Sequence, residues 1–322
     1  MAKVREYRFD NFKLLLIFLV VFGHFLELFL KKSVTAELYT IIYTFHMPAF
    51  IFISGYFSKR FDVANLIKSI IVPYVIFGLL YAVFISVVFD KSFSYSFFTP
   101  YWILWYLFSL LIWKLITPIF TKLKYHLVVA FAVGLLISID SSVGYFASMS
   151  RTFVFFPFFL LGYNFNKEFL DNKKSILGLA GLVLALLLTY FVLIKGFNIS
   201  YHFLYGSHAY DAIGWGILMR ACVYAIAILF ILSLLVVIYK KKIPFVTVLG
   251  ANTIVTYLMH GFVIKYLASL NIFTDMSFST SIILALVLST TIVVAFGNRY
   301  VTKYFDVGLA KLSGLIIKKD PT

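Results

Sequence analysis

Residues 8–30 read RFDNFKLLLIFLVVFGHFLELFL, an apolar run that carries Lys13 near its start and His24 deep inside it. A transmembrane helix needs about 20 consecutive apolar residues. An ionisable side chain at membrane depth is costly and marks a functional site by default. Lys13 and His24 are separated by about three helical turns, so they share one face at roughly 16 Å along the axis. A polar stripe on an otherwise apolar helix points to a site inside a helix bundle, not to a lone anchor. Glu27 follows His24 by three residues and falls on the same face. It either orients the imidazole and stabilises its charged form, or reaches toward the outer interface as a solvated carboxylate.

The rest of the chain repeats this apolar character. Of 322 residues 62% are hydrophobic, and only 13% are charged, about half the share usual in soluble proteins. The mean hydropathy is +0.99. Ten apolar segments suggest spans near residues 12–30, 39–57, 67–89, 102–120, 126–139, 150–165, 176–194, 215–238, 246–270 and 279–298. The expected fold is all-α: a polytopic membrane bundle of about ten helices enclosing a cavity. No repeat and no linker divides the chain, so residues 1–322 read as a single integral-membrane domain. The first span is too long for a signal peptide and lacks a small-residue cleavage site, so it is expected to be retained.

The net charge is +15. In a soluble protein that suggests nucleic acid. Here the basic residues lie in short loops, where they set topology and meet anionic lipid headgroups, and no nucleic-acid partner is expected. Most fall in one set of alternate loops, with Lys3, Arg5 and Arg8 in one, Lys59, Arg60 and Lys68 in the next and Lys240, Lys241 and Lys242 in another. The other set holds Lys31, Lys32, Lys91, Arg151 and Lys195. The positive-inside rule then puts both termini in the cytoplasm of a plasma membrane. The single cysteine, Cys222, cannot form an internal disulfide. There is no phosphate-binding glycine loop and no G-x-S-x-G nucleophile motif. Carboxylates are scarce, so a three-histidine zinc site is the one metal arrangement left open, and no bound metal is expected.

Counting along the spans from alternate sides sets the depth of the polar residues. His24 falls about 18 Å above the inner face, His46 about 10 Å below the outer one and His260 about 21 Å above the inner one. In a hydrocarbon core about 30 Å thick these are similar levels, in the outer half. For each histidine alone, a hydrogen bond to a backbone carbonyl is an equal reading. His46 lies in FHMPAFIFISGYF, where Pro48 removes a backbone donor and is expected to kink or break the helix. Ser54 and Gly55 permit close helix approach. Trp102, Trp105 and Tyr106 open the fourth span from outside, as interfacial anchors or as sugar-stacking rings. The loop at residues 195–214 has the Tyr, His, Ser and Asp content to meet a polar ligand or to cap a surface. Arg151 and Arg220 start near the outer ends of their spans. Asp10 either orders the inner end of the first helix with Asn11 or caps its N-terminus.

The segments FDNFKLLLIFLVVFGHFLE and FHMPAFIFISGYFSKR resemble the integral-membrane acyltransferase family three, nearest to its fucose 4-O-acetylase-like branch. LWYLFSLLIWKL, FVFFPFFLLGY and LGANTIVTYLMHG continue the likeness in the same order. The resemblance implies about ten helices around a cavity. It also implies transfer of an acyl group, usually acetyl from cytoplasmic acetyl-CoA, to a hydroxyl of an extracytoplasmic glycan or lipid-linked sugar. The family's first-helix basic residue and histidine match Lys13 and His24. Arg is common at the first position, and Lys keeps the charge but not the bidentate fork.

On that reading His24 is general base or nucleophile, with Glu27 and His46 as catalytic partners. Lys13, Asp10, Asn11, Lys59, Arg60 and Lys68 form the donor side. His260, Trp105, Arg151, Arg220 and Ser54 form the acceptor side. No permanently bound cofactor is implied, since acetyl-CoA is a substrate. Relatives often carry a fused extracytoplasmic domain, so a separate extracytoplasmic partner protein is expected. The rival class is a transporter or flippase of lipid-linked sugars or small anions, because buried His, Lys and Arg also line transport paths. Such proteins often show two related halves, which this sequence lacks.

Overall fold

Backbone polar groups in lipid have no water to bond, so apolar segments of this length must satisfy themselves as helices. The computed structural model describes residues 6–30, 33–137, 148–171, 173–207, 213–273 and 276–314, and among them there is no strand. Helix α1 is Tyr7–Phe29, α2 Ser33–Tyr56, α3 Val63–Phe89 and α4 Trp102–Phe120. Next come α5 His126–Ile137, α6 Met149–Asn164, α7 Ser175–Gly196 and α8 Ile213–Val237. The chain continues with α9 Val246–Ala251, α10 Thr253–Ser269, α11 Phe278–Gly297 and α12 Arg299–Ser313.

Every one of the ten expected spans contains a helix, and among the described residues seven helices are long and apolar enough to cross a membrane. Three segments fall short of that length: α5, α6 and the stretch that Asn252 divides into α9 and α10. At Asn252 the backbone leaves the helical region (φ −110°, ψ 33°), and its side-chain amide donates to the Gly297 carbonyl at 3.2 Å. Breaks of this kind are tolerated inside a membrane protein where they line a cavity. Thr253 and Ile254, immediately after the break, do line one.

The expected break at Pro48 is absent. Helix α2 runs through it without interruption, as α4 runs through Pro118 and α6 through Pro157. Helix α12 was not foreseen as a separate element. Its polar N-terminus is capped by Asn298, whose side chain accepts from the Tyr300 and Val301 amides, both at 3.0 Å. Tyr300 and Tyr304 stay exposed beside Lys303, the pattern of a helix lying along an interface.

Helix α1 lies at the centre, against α2, α8, α9, α10 and α11. It begins before the expected residue 12 because its first turn is tied to the end of α8. Carbonyls at a helix C-terminus lack intrahelical donors. Arg8 supplies one to Leu235 O at 3.1 Å, and Asn11 Nδ2 donates to Tyr239 O at 2.8 Å and Lys241 O at 3.1 Å. Arg8, read from sequence as a loop cation, is therefore buried. Asp10 does not cap the helix. It pairs with Lys13 Nζ at 3.0 Å.

Helices α2 and α6 make the tightest crossing. A Cβ at Gly55 would overlap the Phe159 carbonyl, and one at Gly162 would overlap the Phe52 carbonyl. The two backbones approach through paired small residues, the usual device for helix association in lipid. That contact fixes α2, and with it Tyr43 and His46, relative to α6 and Arg151.

Candidate active site

Two cavities lie back to back inside the bundle. The first, of about 280 Å³, is lined by His24 and Glu27 from α1, Tyr43 and His46 from α2, and Trp102 and Trp105 from the start of α4. Arg151 from α6, Tyr205 and Tyr257 complete its polar and aromatic lining. The second, of about 650 Å³, is lined by Lys13, Lys68 and Lys114, with Ser54, Tyr106, Tyr257 and Asp306. Tyr257 lines both. Its hydroxyl donates to the Ile103 carbonyl, and its ring packs edge-on to Tyr106 with centroids 5.4 Å apart. Tyr106 in turn hydrogen-bonds Ser54 at 2.5 Å. This aromatic pair is the partition between the chambers.

His24 and Glu27 form a hydrogen-bonded dyad, with Nδ1 3.1 Å from Oε1. The same carboxylate oxygen accepts from Tyr39 at 2.7 Å and Tyr43 at 2.8 Å, and Tyr39 shares a 2.8 Å bond with Tyr205. A carboxylate only accepts, so Nδ1 carries the proton and the His24 Nε2 lone pair is left for chemistry. The arrangement is that of a base whose tautomer is held by an acid.

His46 and His260 are fixed differently. Nδ1 of His46 donates to Ile42 O at 2.9 Å, and Nδ1 of His260 donates to Thr256 O at 3.1 Å. Both Nε2 atoms are therefore acceptors. The backbone hydrogen bond expected for each is present and uses one nitrogen of the ring. His260 is fully buried and its Nε2 has no hydrogen-bond partner. Its ring stacks on His24 at 5.5 Å. His260 lies outside the lining of both chambers and backs the His24 ring.

The structure brings together most of the residues singled out from sequence, though not in the expected partition. His24, Glu27, His46, Trp105 and Arg151 share the smaller chamber. The Arg151 guanidinium lies 5.3 Å from the Trp105 ring centre. Lys13 and Lys68 share the larger one, and Ser54, expected beside the acceptor, lies with them. Lys59 and Arg60 line a small adjoining cavity of about 120 Å³ that also touches Ser58 and Lys114. Lys59 Nζ donates to Phe165 O at 2.8 Å.

Asn11 faces neither chamber: it ties the α8 terminus and accepts from Thr247 at 2.8 Å. Arg220 is buried against the Phe203 ring and donates to Phe203 O at 2.9 Å. It holds the turn Tyr201–Leu204, whose last residue, Leu204, lines the small chamber with the adjoining Tyr205. Of the loop at 195–214, residues 208–212 lie outside the described residues.

Sequence reading missed Tyr39, Tyr43, Tyr205, Tyr257 and Lys114. A signal existed for some of them. Tyr39, Tyr43 and His46 are spaced by four and three residues, one helix face. Lys114 sits within an apolar span as Lys13 does, and deserved the same suspicion. Among the described residues, no group of three or more His, Cys, Asp or Glu side chains has metal-holding geometry.

The structure is an all-helical membrane bundle with a histidine–carboxylate dyad in one chamber and a lysine-lined chamber behind it. The family model of the acyltransferase domain, acyltransferase family three, matches residues 6–297, and the chain belongs to that family. It is a multi-pass membrane acyltransferase. No curated protein and no solved structure matches it.

Proposed function

We propose that the protein is an O-acetyltransferase that moves acetyl from cytoplasmic acetyl-CoA to a hydroxyl of an extracytoplasmic glycan or lipid-linked sugar, in line with its likeness to the fucose 4-O-acetylase-like branch. One observation carries the reading: the lysine chamber and the dyad chamber meet at Tyr257. Lys13 and His24 lie about 16 Å apart along α1. The donor's extended arm threads past Tyr106 and Tyr257 while its phosphates stay among Lys13, Lys68 and Lys114, with Lys59 and Arg60 in the cavity alongside. The positive-inside rule puts this basic end in the cytoplasm, with both termini, and the dyad chamber toward the outside.

At the dyad, His24 Nε2 takes the proton of the acceptor hydroxyl as its oxygen attacks the thioester carbonyl. The carbon–oxygen bond forms, the carbon–sulfur bond breaks, and the imidazolium returns its proton to the departing thiolate. Glu27 stabilises the imidazolium, with Tyr39 and Tyr43 holding the carboxylate in place. His46 accepts a hydrogen bond from an acceptor hydroxyl, and His260 backs the His24 ring. Trp102 and Trp105 offer faces for a sugar ring.

His24→Ala protein, purified in detergent with labelled acetyl-CoA and a glycan extract, is expected to lose transfer by at least about a thousandfold while still binding acetyl-CoA. Transfer at the wild-type rate would remove His24 from the chemistry. The transporter alternative predicts no acetyl-CoA-dependent product from any purified form.

A further inference from the structure

A third cavity, of about 380 Å³, adjoins the dyad chamber and has no part in the transfer just described. The two are separated by one stretch of backbone. Pro100 lines both, Tyr101 lines the outer cavity and Trp102 lines the dyad chamber. Successive side chains face opposite cavities because Trp102 takes a left-handed backbone conformation, φ 39°. A bulky residue rarely adopts that region, and such strain concentrates at ligand sites. Tyr101 is backed by Tyr81 at 5.4 Å, and Trp102 is backed by His24 at 4.8 Å. Two ring-stacking surfaces thus stand side by side on either face of a thin wall.

The outer cavity is edged by hydroxyls of Ser92, Ser94, Ser96 and Thr99. It is also cationic. Lys91 lines it, and Lys265, outside the lining of both cavities, sits 4.4 Å from the ring centre of Trp102. Among the described residues neither has a carboxylate at ion-pair distance. Asp90 adjoins Lys91 in sequence, and Glu27 is already engaged by His24, Tyr39 and Tyr43. Lysines beside a cavity with no carboxylate at ion-pair distance mark a place for an anion.

We propose that this cavity is a second acceptor subsite. It binds the saccharide unit next to the one being acetylated, stacks it on Tyr101, and selects acceptors whose neighbouring unit or linkage carries a carboxylate or a phosphoryl group, through Lys91 and Lys265. The inference rests on the acetyltransferase reading and goes beyond it by giving the acceptor a minimum length and a charge.

The test uses the full-length protein purified into nanodiscs, with labelled acetyl-CoA and glycans from the producing cells separated by anion exchange into neutral and anionic pools. Label is expected in the anionic pool. Lys91→Gln and Lys265→Gln should each raise KM for that pool about tenfold, the range of one charge-assisted hydrogen bond, with kcat within twofold. Tyr101→Ala should also raise KM, and Tyr101→Phe should restore it. Reducing carboxyl groups in the pool, or cleaving its phosphodiesters with hydrofluoric acid, distinguishes the two anion sources: the treatment that abolishes the lysine dependence names the group. Equal labelling of the neutral pool, or unchanged KM in both lysine variants, overturns the subsite. Absence of any label in either pool refutes the acetyltransferase reading itself, and the subsite with it.

Discussion

Replacing Glu27 by Gln isolates the part of catalysis that depends on charge at the dyad. The substitution keeps the volume and leaves Tyr39 and Tyr43 an amide oxygen to donate to, so the fold is expected to survive. It removes the negative charge 3.1 Å from His24 Nδ1. When His24 takes a proton from the acceptor, that contact becomes an ion pair. At an effective dielectric of about 20, unit charges at this distance attract by ~5 kcal/mol. The two side chains are 14% and 25% exposed, so solvent screening trims the figure. A loss of ~3–4 kcal/mol corresponds to a fall in kcat of about 10²–10³.

An added effect works in the same direction. An amide nitrogen turned toward the ring would donate to Nδ1, move the proton to Nε2 and take away the base. KM for acetyl-CoA should stay within about threefold, because its phosphates are placed in the other chamber. The assay is steady-state transfer from labelled acetyl-CoA by purified protein, with thermal unfolding in detergent as a control for folding. A kcat within threefold of wild type would refute the dyad mechanism. A kcat loss accompanied by a collapse in thermal stability would instead make Glu27 the structural hub of the tyrosine cluster.

The other outcomes concern the second chamber and the scaffold. Lys13→Ala and Lys114→Ala are each expected to raise KM for acetyl-CoA about tenfold with little change in kcat, and Lys13→Arg should preserve it, since charge and not a guanidinium fork is required there. Competition binding with labelled acetyl-CoA at low and high salt checks this, and the wild-type affinity should fall as salt rises. Gly162→Leu forces a side chain into the Phe52 carbonyl, so it should destabilise the protein by about 1–3 kcal/mol or prevent folding. Its melting temperature in detergent, compared with that of a lipid-facing Val183→Leu control, reads the effect.

Much of the site was legible on single helices. Lys13, His24 and Glu27 show their common face through spacing alone, and the depth count placed His24, His46 and His260 at similar levels. The stacking of His24 on His260 and the shared chamber of His24 and His46 agree with that count. Reading fell short wherever a residue's neighbour came from another helix. Arg8 looked like a loop cation because nothing in its own segment reveals the carbonyls of Leu235. The position of Ser54 on α2 does not tell that it shares a cavity with Lys13 and Lys68. Pro48 suggested a break on local grounds, whereas packing of α2 against α6 keeps the helix whole.

The sequence by itself determined that this is a helical membrane protein, which residues are too polar to be lipid-facing without reason, and the family whose motifs it carries. These follow from composition and from a period of 3.6 residues, which need no knowledge of partners. Only the tertiary structure decided that the polar residues divide into two chambers joined at Tyr257, and that two tyrosines of α2, Tyr39 and Tyr43, converge on Glu27 with Tyr205 behind them. Rotation and crossing of helices in lipid are set by small-residue contacts such as Gly55 and Gly162. Those are pairwise matters, and they appear only when both helices are in place.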